Sequence, residues 1–580
     1  MEFKTPFESG SERHKAAQTL LDAGACARCA LRFVNYRVSD FYVSSEECVQ
    51  SRLAEWELTL PSSTSTKPCP ACLGFLEDSA DAEKGQDELS LQVTDYVRES
   101  RFEFRCFTLA LSLPPSILVR RQALWAHLRL TYPNVPLFSL NKVDDQIVSV
   151  KEVLKWRLSH RLSVSLEKPF ESDSPTVIDA RNGAITVQVQ LAHGDSSNEC
   201  QFMAKSMQNM APRRAKRKHA TSSGSISKQL QLLPFESFCA LAKQQIGVPP
   251  KAPEVSGQAA VQVTRAPVYI MGNYTKMSRA VSQTPWTLTV GGARKTPTSV
   301  QEEVCSALAP LFEPPQITEA QRANVLQRRK QRRTRQRLVN EGTLTKASAP
   351  GTFSDDYVYQ FDDEYEYVKF HAAGREDADV RMLGASGGGR PFVCEVRNAR
   401  RDLAFRADDR EAYDQTHALL QSLAERHNKG ASPVSVRAVR LGSSDAFDAL
   451  KQGEQRKRKS YRCLVRLNSA VSQETLATAA ARVTPETPLS VAQRTPLRVL
   501  HRRAPMVRNK KVFSLSFQSL SPCYLVVDVV AQAGTYIKEL VHGDRGRTSP
   551  SLGDLLGTRA DILQLDVLDV HYELPDDDVD

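Results

Sequence analysis

Apolar and polar positions along this chain switch repeatedly between two periods. ITVQVQL (185–191) alternates with period two and predicts a strand with one buried face. LSLQVTDYV (89–97) and FEFRCFTLALSLP (102–114) also read as strands. PPSILVRRQALWAHLRLTY (114–132) reads as a helix entered after Pro114-Pro115, and residues 15–30 as a short helix. Beyond residue 390 come the strand-like runs FVCEVR, VSVRAVRL, SYRCLVRL, LRVLHRR, KVFSLSF and CYLVVDVVAQAG. Helical runs, DDREAYDQTHALLQSLAERHN and QETLATAAARV, interleave with them. That mixture predicts an α+β protein whose C-terminal half holds a mixed, largely antiparallel sheet.

At 580 residues the chain has room for two to four domains, and 41% hydrophobic with 25% charged residues suits ample cores. No window approaches 18 uninterrupted apolar residues, so no membrane span is expected. The first 20 residues lack an apolar signal core, and their acidic residues argue against a transit peptide. Twelve scattered cysteines suit a reducing compartment, so nucleus or cytoplasm is the expectation. The net charge of +10 matters through its clustering. Residues 205–228 include Arg213, Arg214, Lys216, Arg217, Lys218 and His219 among small polar residues. They read as a disordered insertion, serving as linker, import signal or nucleic-acid patch. In 318–342, seven of the ten residues from Arg328 to Arg337 are basic, which favours RNA contact over core packing.

Two C-x-x-C pairs, Cys26/Cys29 and Cys69/Cys72, lie 39 residues apart. Each can turn two thiolates toward one tetrahedral ion, so a closed structural zinc site is expected, with a redox pair as the alternative. Cys48, between them, reads as a packed thiol. No P-loop or dinucleotide fingerprint is present, and no organic cofactor is expected.

The richest chemistry lies in HAAGREDADVRMLGASGGGRPFVCE (371–395), where Asp377 and Asp379 sit beside Arg375 and Arg381. A carboxylate among guanidiniums stays ionised, which suits a nucleophile or base, although an ordinary surface loop has the same composition. Gly384, Gly387, Gly388 and Gly389 predict a mobile loop before Arg390. This segment resembles the active-site stretch of the archaeal and eukaryotic tRNA pseudouridine synthases of the Pus-ten family, which act on uridines 54 and 55. The G-R-x-D turn of those enzymes falls on Gly374, Arg375, Glu376 and Asp377. The resemblance implies that Asp377 is catalytic, although the run from Gly384 to Arg390 is longer than the family's usual G-x-G-R. Two further motifs match. KSYRCLV gives Tyr461 the place of the base-stacking, proton-relay tyrosine. GTYIKEL gives Lys538 the place of the cation paired with the aspartate.

PVYIMGNYTKMSRAVSQTPW (267–286) is similar to a family segment as well, and Tyr274, Lys276, Arg279 and Trp286 mix cations and rings as RNA-binding surfaces do. In RTPLRVLHRRAP (494–505), Arg498, His501, Arg502 and Arg503 alternate along an expected strand that lines the RNA face. Arg375, Arg381 and Arg390 complete the expected substrate contacts. The resemblance thus implies four parts. Residues 1–90 are a zinc-binding subdomain, 91–317 a THUMP-containing RNA-binding region, 318–350 a basic connecting helix, and 351–580 the catalytic domain. It further implies isomerisation of uridine in the TΨC arm of tRNA by a monomer. The rival reading is a zinc-containing RNA-binding protein without catalysis.

Overall fold

A computed structural model describes residues 7–61, 67–78, 88–139, 147–171, 183–195, 198–200, 223–286, 294–314, 367–403, 410–453, 458–500 and 503–571. The basic segments 213–218 and 328–337, His501 and Arg502 lie outside the described residues, as does the expected connecting helix 318–350. The chain forms two compact units, one of residues 1–265 with 317–365, the other of 266–316 with 366–580.

The first unit opens with helices α1 (Glu12–Asp22), α2 (Ala27–Phe33), α3 (Ser39–Val43) and α4 (Glu46–Glu55), the last two filling the gap between the cysteine pairs. The stretch LSLQVTDYV, expected as a strand, is part of helix α5 (Glu88–Glu99). Its buried residues Ser90, Val93, Thr94 and Val97 recur at the helical spacing of three and four, so the short alternation at its start misled. A three-stranded sheet follows the order β1 (Cys106–Ser112), β2 (Ala184–Ala192), β3 (Gln258–Thr264). β1 and β2 are parallel, and β2 and β3 antiparallel. Helix α6 (Ser116–Thr131) forms where expected, after Pro115. Residues 223–228, the end of the expected insertion, belong to a helix, Ser223–Leu232.

The second unit is built on an eleven-stranded mixed sheet among the described residues. Its first strand, β4 (Val268–Lys276), was expected in the RNA-binding half. It instead pairs antiparallel with β6 (Arg381–Met382), β7 (Arg390–Val396) and β8 (Val434–Gly442). The boundary expected at 351 therefore shifts, because β4 finds its ladder partners in the C-terminal half. β5 (Val368–Ala372) flanks β7 at one edge. On the other side β6 lies parallel to β14 (Ala560–His571), which leads through β9 (Arg458–Leu467), β12 (Tyr524–Gln532) and β11 (Val507–Ser521) to β10 (Leu489–Arg494) and β13 (Thr548–Ser549). Helix α7 (Arg410–Lys429) hydrogen-bonds to β8 through Gln421, His427 and Asn428.

Two local expectations are corrected. LRVLHRR is a 3-10 turn over Leu497–Val499, not a strand. Pro496 precedes it, and the Thr495 hydroxyl closes the loop on the Ala504 carbonyl. The glycine-rich segment is anchored rather than free. The backbone N–H groups of Leu383 and Ala385 donate to the carbonyls of Val567 and Leu568, and that of Ser386 to Asp569. Gly389, at φ +107°, passes so close to the Tyr274 carbonyl that a Cβ would lie 2.7 Å from it. Only glycine fits there.

Candidate active site

The turn that carries Asp377 runs from the end of β5 to β6. Gly374 starts it at φ +99°, where a Cβ would meet the Lys459 ammonium at 2.4 Å. Glu376 points inward to a buried ion pair with Arg390 (2.9 Å, both side chains 1% exposed). The Tyr274 hydroxyl donates to the same carboxylate at 3.0 Å. Lys276 donates to the carbonyls of Asp377 and Ala378 at 3.2 Å and of Val281 at 2.8 Å. Arg279 donates to the Asp379 carbonyl at 2.8 Å and pairs with Asp566 at 2.6 Å. Arg381 pairs with Asp566 as well.

These contacts revise the expected RNA-binding set. Tyr274 and Lys276 are wholly buried and Arg390 nearly so. Burial, with Glu376 beside it, pushes the Tyr274 hydroxyl well above the usual phenol range, and burial pulls the Lys276 ammonium down. Their polar atoms are committed to the turn, so they fix Asp377 in place instead of meeting substrate. Arg279 and Arg381 likewise tie the turn to β14. Trp286 is half-exposed, with the Lys295 ammonium 3.8 Å from its ring centre.

Asp377 itself emerges into a cavity of about 630 Å³, within the range of small-ligand pockets, about 300–1,000 Å³. Its side chain is 43% exposed, and Oδ2 lies 3.1 Å from Arg498 Nη1 and 3.6 Å from Lys538 Nζ. Tyr461, from β9, lines the same cavity. Its hydroxyl makes no hydrogen bond among the described residues, and burial pushes it up to about 12 although Arg390 pulls it down. Arg375 and Arg503 stand exposed at the rim. Val380, Val499, Ile537, Leu565 and Val567 supply apolar wall. The arrangement offers one solvent-reachable carboxylate between two cations, facing a neutral phenol over an apolar surface.

The expected Asp377–Lys538 pair is present, but it is not the shortest contact of either partner. Lys538 Nζ lies 2.8 Å from Asp379 Oδ2. Burial would raise the Asp379 carboxyl, but this hydrogen bond and charge hold it below the usual carboxylate range. Lys538 is the second residue of a six-residue helix (Ile537–His542) whose entry is fixed by buried Gln493, which accepts from the Tyr536 N–H and donates to its carbonyl, both at 2.9 Å. Sequence reasoning passed over Gln493 and Glu539, and took Lys459 only as the first residue of K-x-Y; each acts through a contact with a residue distant in the chain.

In the first unit the sulfurs of Cys26, Cys29, Cys69 and Cys72 all lie within 4.8 Å of one another, and Cys48 is not among them. A tetrahedral zinc with bonds of about 2.3 Å needs sulfurs about 3.8 Å apart. Cys26 and Cys72 are 3.9 Å apart. The Cys26 N–H donates to Cys69 Sγ at 3.2 Å, and Arg32 Nε to Cys29 Sγ at 3.3 Å, as thiolate ligands require. The donor set fits a closed metal site.

Comparison with known proteins agrees with this geometry. Residues 269–324 and 325–571 match the family described as Pus10, C-terminal, and residues 69–262 match Eukaryotic Pus10, N-terminal. The chain belongs to the Pus10 family. Curated relatives named tRNA pseudouridine synthase Pus10 include those of Mus musculus, 27% identical over 97% of this chain and 98% of theirs, and Xenopus laevis, 28% identical over 96% and 97%. The relative from Methanothrix thermoacetophila is 32% identical over 53% of this chain and 55% of its own. The archaeal match thus spans about half of this chain.

Proposed function

We propose that this Pus10-family protein is a tRNA pseudouridine synthase that isomerises uridine in the TΨC loop, at position 54, 55 or both. The observation that carries the reading is the convergence of Asp377, Tyr461 and Lys538, from three separate motifs, on one cavity. Asp377 initiates cleavage of the N1–C1′ bond, by attack on C1′ or by removal of the C2′ proton. The freed uracil turns against the apolar wall and Tyr461, and C5 bonds to C1′ as the Asp377 oxygen leaves it or as the C2′ proton is returned; loss of the C5 proton and uptake of one at N1 then restore the ring. The target nucleotide has to leave its stack to reach the carboxylate, which a loop permits more easily than a duplex. The reaction is an isomerisation and calls for no organic cofactor.

The rim cations Arg375 and Arg503, with Arg502, are the substrate contacts of this reading, and the three-stranded sheet of the first unit is its THUMP-type RNA-binding element. The four cysteines hold a structural zinc, which would cross-link α2 to the segment after α4. Nucleus and cytoplasm are the expected compartments, and a monomer the acting species. The test is to incubate purified protein with unmodified tRNA transcript and map pseudouridine. Product at 54 or 55 without added cofactor is expected. Tight tRNA binding with no pseudouridine would instead leave an RNA-binding protein without catalysis.

A further inference from the structure

We infer that Arg498, not Lys538, is the cation that positions Asp377, and that buried Glu539 holds Arg498 for this task. The inference rests on the function proposed above and adds a positioning relay to it. Arg498 lies on the 3-10 turn Leu497–Val499 and uses two edges of its guanidinium. Nε donates to Glu539 Oε1 at 2.8 Å, and Nη1 to Asp377 Oδ2 at 3.1 Å. Glu539 is 2% exposed, so one end of the relay is fixed in protein while the other reaches the cavity. Its second carboxylate oxygen is buried with no hydrogen-bond partner among the described residues. A buried carboxylate is costly without a partner, and the Arg498 guanidinium is the cation paired with it.

Lys538 is placed differently. Its ammonium bonds Asp379 at 2.8 Å and stands 3.6 Å from Asp377, beyond ordinary hydrogen-bond length. It is a point charge for the turn as a whole, whereas the planar fork of Arg498 can aim one carboxylate from another. The turn itself is anchored by its own base. The Leu497 N–H donates to Asp544 at 3.2 Å, so the relay sits on fixed backbone. Arg498 was expected to contact RNA, and this arrangement gives its guanidinium another use.

The test compares Arg498→Ala, Arg498→Lys and Glu539→Ala with the unaltered chain, measuring kcat, KM and tRNA Kd at several salt concentrations. Truncating Arg498 leaves the buried Glu539 carboxylate unpaired, so a thermal melt first fixes a temperature at which each variant is folded, and rates are compared there. The expected result for Arg498→Ala is a fall in kcat of about 100-fold, as misplacement of a reacting group by about 1 Å brings, with Kd and its salt slope unchanged. Arg498→Lys is not rescued, because the shorter side chain ends in a single nitrogen, whereas Arg498 reaches the two carboxylates from separate atoms, Nε and Nη1, of one rigid plane. Glu539→Ala falls similarly, and the double variant is no worse than either single one. A raised Kd with a flatter salt slope and normal kcat would make Arg498 a phosphate contact and overturn the inference alone. So would full additivity of the two losses. Absence of pseudouridine from the unaltered chain would overturn the proposed function, and this inference with it.

Discussion

At the scale of single residues, the site depends on where one carboxylate and one phenol end up. Asp377→Asn keeps the size of the side chain and most of its hydrogen bonding but removes the charge and the nucleophile. It is expected to abolish pseudouridine while leaving tRNA binding and melting temperature nearly unchanged, and a gel-shift assay beside product mapping checks this. Lys538→Ala is a milder change. Its partners are part-exposed, so the loss should be near 1 kcal/mol, about fivefold in turnover. Asp379→Asn should be felt also, because that carboxylate is the nearest partner of Lys538 and no neutral control. Tyr461 supplies the pH prediction. Its folded pKa of about 12 exceeds the usual phenol value near 10, so the hydroxyl stays neutral in the folded protein until well above pH 10. The stability tied to it is fully present below pH 10 and lost as pH rises toward 12. Turnover followed from pH 6 to 9 should therefore show no basic limb due to Tyr461, and Tyr461→Phe should lower the rate without reshaping the profile.

At the scale of elements, β4 and β7 act as the frame for the Asp377 turn. Their buried side chains meet at Glu376, which takes hydrogen bonds from Tyr274 and a full ion pair from Arg390. Removing one member of such a pair leaves an uncompensated charge, so Glu376→Ala is expected to destabilise the protein by about 3–5 kcal/mol. Tyr274→Phe removes only a neutral hydrogen bond to a charged group and should cost about 1.5–3 kcal/mol. Chemical denaturation of both variants checks the order. An equal, negligible effect of both would mean that the turn is held by backbone contacts alone.

At the scale of the whole molecule, the candidate active site and the cysteine cluster belong to different units, with Asp377 in the second and the four cysteines in the first. Structural zinc contributes about 10–16 kcal/mol to small metal-dependent modules. Metal analysis should find one zinc per chain, lost together with the fold of the first unit in a Cys26→Ser, Cys69→Ser variant. A metal-free preparation with an unchanged melt would count against the site. The basic segments 213–218 and 328–337 lie outside the described residues, and their role is open to a direct test. Neutralising them should weaken tRNA binding and reduce the salt slope by about 0.7–0.9 per lost phosphate contact.

The sequence alone picked out three side chains that line the candidate site. G-R-E-D, K-S-Y and G-T-Y-I-K are local strings whose backbone turn and side chain travel together, so Asp377, Tyr461 and Lys538 were legible before any fold was known. The same holds for the two C-x-x-C pairs, since each turn presets two thiolates. Strict alternation marked β2, and Pro115 marked the start of α6. What a side chain does was not legible where it depends on partners distant in the chain. Tyr274, Lys276 and Arg390 carry the composition of an RNA-binding surface, yet burial turns them inward onto the Asp377 turn, because β4 pairs with β7 across more than 100 residues of chain. Arg498 and Glu539, 41 residues apart, meet only because the sheet brings their loops to one cavity. Tertiary structure decided those roles, since a charge acts through the distances and the dielectric around it, and sequence fixes neither.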